Sequence, residues 1–133
     1  MENLVALSLA LLSLVNPVTG PRAEAISAAL ATAGAPSTET SDGAVVEISG
    51  LTCVRMTSSG GPTAPVPLRC AFKAIPSDAI LQVDGAKANR LVWALEDVGI
   101  LPREQAGVET WSLPSIRCVT ADAATECWID AAP

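Results

Sequence analysis

Four cysteines, Cys53, Cys70, Cys118 and Cys127, are the residues of this chain best equipped for chemistry. Their spacing decides which chemistry is open to them. A structural zinc site built from four cysteines draws on close C-x2-4-C pairs, and no such pair occurs here. An even number of cysteines in a small chain instead fits a disulfide framework formed in an oxidising compartment. Zinc ligation is therefore the weaker alternative, and neither a metal site nor a cofactor is expected.

Other reactive groups are scarce. The sequence contains no His and no Tyr, which removes the usual general base near neutral pH and the middle member of most nucleophile triads. Lys73 and Lys87 are the only lysines, and neither stands in an S-x-x-K arrangement. The G-x-S-x-G, Walker, G-x-G-x-x-G and H-E-x-x-H patterns are all missing. Asp122, Glu126 and Asp130 gather near the C-terminus, where a carboxylate pair would be needed for acid-base work. In a chain of net charge −6 and pI near 4.4, they read as solubilising acids. No catalytic residue is assigned. The same charge excludes nucleic acid as a partner, since that affinity is largely electrostatic, and the eight Lys and Arg form no basic stripe.

The elements that carry the cysteines come from a duplication. Laying Val18 over Val83 and continuing without a gap to Val54 over Val119 pairs Gly20 with Gly85, Ala23 with Ala88, Leu30 with Leu95, Gly34 with Gly99 and Cys53 with Cys118. In each copy Ala23, Ile26, Leu30 and Ala33, or Ala88, Leu91, Leu95 and Val98, recur at helical spacing. Thr19 and Asp84 precede these stretches as expected N-caps. Gly34 and Gly99 follow them, where a left-handed residue ends a helix at least cost. Each unit thus begins with one amphipathic helix.

An extended run follows each helix, "AVVEISGLTCVRM" and "ETWSLPSIRCVTA", interrupted at equivalent places by Ser49-Gly50 and Pro114-Ser115. Such residues suit a bend or bulge. A turn then leads to a second strand, "VPLRCAFKA" or "TECWIDAA". The cysteines of each unit therefore fall within one predicted hairpin, Cys53 with Cys70 and Cys118 with Cys127, although bridges between units remain open. The expected fold is α+β, a tandem duplication of a helix-strand-strand unit forming an antiparallel sheet with two helices packed on one face. Residues 18–74 make the first αββ unit and 75–133 the second.

Residues 1–17 carry an apolar run, "LVALSLALLSLV", of the length of a signal-peptide core and too short to span a membrane. Its flank, Met-Glu-Asn, lacks the usual cation. The run is read as an export signal, which the cysteine framework favours, with a strand of the fold as the alternative.

The aromatic residues are the candidate partner-binding groups. Trp93 sits opposite the apolar stripe of the second helix, exposed to a partner or covering the other unit. Trp128 alternates with Cys127 and Ile129, so it is expected, together with Trp111, on the sheet face away from the helices. That face either docks another protein or meets a second sheet. The Thr57 to Pro67 stretch, "TSSGGPTAPVP", is read as a flexible hairpin tip, with an inhibitory loop as the alternative.

At "VDGAKANRLVWALEDVGI", followed by paired cysteines, the chain resembles small uncharacterised secreted bacterial proteins with a G-x-x-A-x-x-L-type helix and a disulfide-tied hairpin. That resemblance implies export to the periplasm or medium and brings no activity with it. The tandem build is also similar to the architecture of β-lactamase inhibitory proteins, an analogy of architecture without matching residues. The expected function is that of an exported, non-enzymatic binding or structural protein of the cell envelope, acting through contacts with another protein. The alternative is an inhibitor of a secreted or periplasmic enzyme.

Overall fold

The structure, a computed structural model, describes residues 17–56, 68–75 and 78–130. The apolar N-terminal run and the Thr57 to Pro67 stretch lie outside these residues. Ten elements follow one another: β1 (Val18–Thr19), α1 (Pro21–Thr32), β2 (Ser37–Thr40), β3 (Gly43–Met56), β4 (Arg69–Ile75), β5 (Ile80–Asp84), α2 (Ala86–Asp97), β6 (Arg103–Gln105), β7 (Val108–Ala121) and β8 (Ala124–Asp130). All strands join one antiparallel sheet in the order β1-β8-β7-β3-β4-β5, with β2 also paired to β3 and β6 to β7.

The duplication visible in the sequence is a symmetry of this sheet. Its two central strands, β3 and β7, are equivalent elements of the two copies, and their pairing is unchanged when the copies are exchanged: Val46 opposes Cys118, and their counterparts Trp111 and Cys53 oppose each other. A pseudo-twofold axis therefore passes between β3 and β7, and it relates β4 to β8 and β5 to β1. The short strands before the helices are exchanged across the axis. β1 from the first copy closes the edge of β8, and β5 from the second closes the edge of β4. One sheet with one core is the result, joined through the longest and most deeply buried strands.

The axis runs through Ser49-Gly50 and Pro114-Ser115, the points where the sequence interrupts both strands. Gly50 adopts a φ of 64°, and Pro114 has no N–H to give a ladder. Pairing continues on either side, from Ser49 with Ser115 to Leu51 with Leu113, while β3 shifts register against β4. Because both strands bend together, each changes its alternation there. Ile48 and Leu51, three residues apart, both face the helices, as do Leu113 and Ile116.

Both helices are 12 residues long. The expected apolar faces are the buried ones: Ala23, Ile26, Leu30 and Ala33 in α1, and Ala88, Leu91 and Leu95 in α2, with Val98 partly buried against the core. Both helices end identically. Ala35 N–H donates to Leu30 O and Ile100 N–H to Leu95 O, each at 3.0 Å, past Gly34 and Gly99 at φ 102° and 91°. These are paired Schellman ends.

The beginnings of the helices correct the expected caps. Thr19 and Asp84 are strand residues, paired with Glu126 and Arg69, and neither caps a helix. The N-cap positions are Gly20 and Gly85, without a side-chain cap bond. The chain must turn abruptly from an edge strand onto a helix crossing the sheet, and it does so at φ 70° and 66°, a conformation open chiefly to glycine.

Candidate functional site

Each cysteine pair occupies directly opposed positions of one hairpin. Cys53 faces Cys70 across β3 and β4, and Cys118 faces Cys127 across β7 and β8; both pairs are bridged, with Cα atoms 4.0 Å apart. No free cysteine is present among the described residues. The bridges lie on the helix side of the sheet, almost wholly buried, and Cys127 Sγ packs 3.4 Å from Ala23 O of α1. An oxidised sulfur carries no proton, so this is a packing contact. The pairing fits an oxidising compartment outside the cytoplasm. No helix among the described residues is long and apolar enough to cross a membrane.

The three tryptophans part company. Trp111, expected on the open face, is instead 1% exposed and sits in the core facing the helices. The bend at Pro114-Ser115 is the reason, since it places Trp111 and Cys118 on the same side although they are seven residues apart. At the edge of the core Arg55 crosses the Trp111 ring at 5.2 Å and donates to Glu109 Oε1 from Nε at 2.8 Å and from Nη2 at 2.7 Å. Trp111 Nε1 is buried without a hydrogen-bond partner among the described residues. In the other copy this position is Val46, and no charged pair stands beside it.

Trp93 projects outward from α2 and is 64% exposed. Its helix neighbours at three- and four-residue spacing are Asn89, Arg90, Glu96 and Asp97, and Asp97 Oδ2 reaches Arg22 Nε of α1 at 3.6 Å. Trp93 thus stands alone in a polar helix surface.

Trp128 takes the expected side. Thr125, Cys127 and Ile129 point inward, leaving Glu126, Trp128 and Asp130 on the face that no helix among the described residues covers. Arg117, opposite Trp128 on β7, lays its guanidinium 5.8 Å from the ring. A shallow depression of about 360 Å³ is lined there by Asp42, Arg117, Val119, Glu126 and Trp128, among others. The symmetry-related place, beside β4, is a wider groove of about 520 Å³, lined by Thr52, Val54, Arg69, Ala71, Gln82 and Asp84. Ala71 holds there the position that Trp128 holds in the other half. Exposed Val54, Met56 and Ile80 surround that groove.

Asp122, Glu126 and Asp130 do not converge on one another, while Asp42 shares one depression with Glu126 and another with Glu39 and Asp122. Asp122 occupies the β7–β8 turn at φ 53°, and Glu126 and Asp130, four positions apart on one strand, stand about 13 Å from each other. The carboxylate pairs of glycoside hydrolases lie about 5 to 9.5 Å apart. Among the described residues, no three His, Cys, Asp or Glu gather in a way that suits a metal ion. Lys73 Nζ lies 3.9 Å from Asp78 on the surface, and Lys87 is exposed at the start of α2.

Among the described residues, the sheet face away from the helices is left uncovered by any helix and bears one aromatic knob and one symmetry-related groove. Comparison with protein-family models, curated proteins and solved structures finds no match.

Proposed function

We propose that the protein is an exported, non-enzymatic binding or structural protein of the cell envelope, acting in the periplasm or medium through contacts of its open sheet face with protein. One observation carries this reading: a large, half-buried aromatic, Trp128, held under Arg117 on a sheet face that no helix among the described residues covers. Aromatic and Arg side chains dominate the energetics of protein interfaces, and a sheet face left uncovered is a surface another chain can complete. The buried disulfides support export.

The test is capture of partners from the native envelope or culture fluid by the intact protein, beside its Trp128→Ala and Trp93→Ala variants. Loss of capture with Trp128→Ala and retention with Trp93→Ala is the expected result. Equal capture by all three would sink the assignment to the open face. A second reading, inhibition of a secreted enzyme, draws on the Cys53–Cys70 bridge, which ties the two strands flanking residues 57–67. Replacing that stretch with a short Gly-Ser turn would then abolish inhibition and leave open-face contacts intact.

A further inference from the structure

The open face is complementary to itself. Along β8 it presents Glu126, Trp128 and Asp130, an aromatic residue between two carboxylates. Along β4, the symmetry-related strand, it presents Arg69, Ala71 and Lys73, a small residue between two cations. The register makes these rows equivalent, since Cys127 and Cys70 stand in the same place of their hairpins. Knob matches hollow, and both charges beside the knob are opposite in sign to both charges beside the hollow.

From this we infer that the open face binds a second copy of the same chain, with Trp128 of each copy seated over Ala71 of the other and Glu126 and Asp130 set against Arg69 and Lys73. The inference rests on the reading of this face as a protein-contact surface and names its occupant. Closure follows from the placement of knob and hollow on one face. Trp128 lies in the row of Arg117 and Glu47 and Ala71 in the row of Ser112 and Thr52, about 16 Å apart along the strands. A twofold axis lying in the face and perpendicular to the line from Trp128 to Ala71 therefore seats both pairs at once, with the strands of the two copies crossing. Such an interface is isologous and ends at two copies rather than growing into a filament. The sheets would stack about 10 Å apart, a gap that an indole spans and an alanine leaves open.

Charge state favours the match. Arg117 is engaged with the Trp128 ring, and Arg69 has no ion pair among the described residues even though Asp84 is its cross-strand neighbour. Arg69, flanked by Val54 and Asp84, and Ala71, flanked by Thr52 and Gln82, line the groove. Six strands about 4.8 Å apart and some seven residues long make a face of about 600 Å² per copy. That is the small end of specific interfaces, so association in the micromolar range is expected, weakening as salt rises because its charges lie at the rim.

Sedimentation velocity on the full chain across micromolar concentrations tests this. A monomer-dimer equilibrium is expected, with Trp128→Ala and Ala71→Trp each weakening it at least tenfold while melting as cooperatively as the parent. The sharper experiment uses two charge variants. Glu126→Lys with Asp130→Lys makes both rows basic, and Arg69→Glu with Lys73→Glu makes both acidic, so each is expected to be monomeric alone and to dimerise when mixed. A full chain that stays monomeric, a dimer indifferent to all these substitutions, or folded charge variants that do not pair would each overturn the inference. If the chain is monomeric yet Trp128→Ala still abolishes capture of another protein, the dimer falls and the binding function stands. If capture is also unaffected, both fall.

Discussion

The half of the sheet beneath α1 and the half beneath α2 share one plan and differ in what fills it. Beneath α1 the equivalent core positions hold Val46 and Ile129; in the other half they hold Trp111 and Phe72. The helices respond. α1 rests against β8, β7 and β3, whereas the main contacts of α2 are with α1 and β5, as expected where larger side chains fill the space between helix and sheet. On the open side the imbalance reverses, with Trp128 opposite in symmetry to Ala71. Duplication has supplied two equal frames, and a few changes of volume have given one half its bulk inside and the other its bulk outside.

Truncating the inner aromatic is the strongest way to break this comparison. Trp111→Ala is expected to destabilise the protein by about 3 to 5 kcal/mol, against about 2 kcal/mol for Val46→Ala, its counterpart, from the smaller area lost. Paired denaturant titrations read the difference. Equal losses would mean that the two cores are not packed as described.

The bridges come next. Replacing either cysteine pair with serine or alanine is expected to cost about 2 to 4 kcal/mol. Cys53–Cys70 spans a sequence separation of 17 and Cys118–Cys127 one of 9, so the loop-closure contribution of the first exceeds that of the second by about 0.6 kcal/mol. Calorimetry of the two double variants orders them. A more costly second bridge would show that native packing against α1, rather than loop closure, sets its value.

Glycine at the helix starts offers a symmetric control. Gly20→Ala and Gly85→Ala place a Cβ in open space, so only the backbone conformation at positive φ is penalised, by about 1 to 3 kcal/mol. Near-equal shifts in melting temperature are expected. An unequal pair would mean that the exchanged edge strands, β1 and β5, hold these turns differently. Removing the Arg55 side chain, which has no equivalent beside Val46, is worth about 1 kcal/mol because its ion pair with Glu109 is only partly shielded from water. Trp93→Ala is the smallest, within about 0.5 kcal/mol, as for an exposed side chain without structural contacts.

Much of this was readable in one dimension because the signals are local. Helix periodicity, the glycines closing each helix and the cysteines facing across each hairpin all depend on neighbours close in the chain. Trp128 was legible for the same reason, since it alternates with a cysteine whose side is set by its bridge. Trp111 was not. Its side depends on whether the bend at Pro114-Ser115 inserts a residue into the alternation, and a bend marked in the sequence does not state its effect on parity. β1, β2, β5 and β6 also escaped, being two to five residues long, too short for periodicity to declare them. The helix starts were misassigned because Thr19 and Asp84 have good capping chemistry, and the sheet takes them first.

By itself, then, the order of residues determined the repeat, the two amphipathic helices, the hairpin in which each cysteine pair falls and the acidic surface, all consequences of composition and short-range spacing. Tertiary structure decided which side of the sheet each tryptophan occupies, where the edge strands go and that Arg69, Ala71 and Lys73 stand as the counterpart of Glu126, Trp128 and Asp130. Those outcomes depend on strands distant in the chain being brought into register, and only the closed sheet fixes that register.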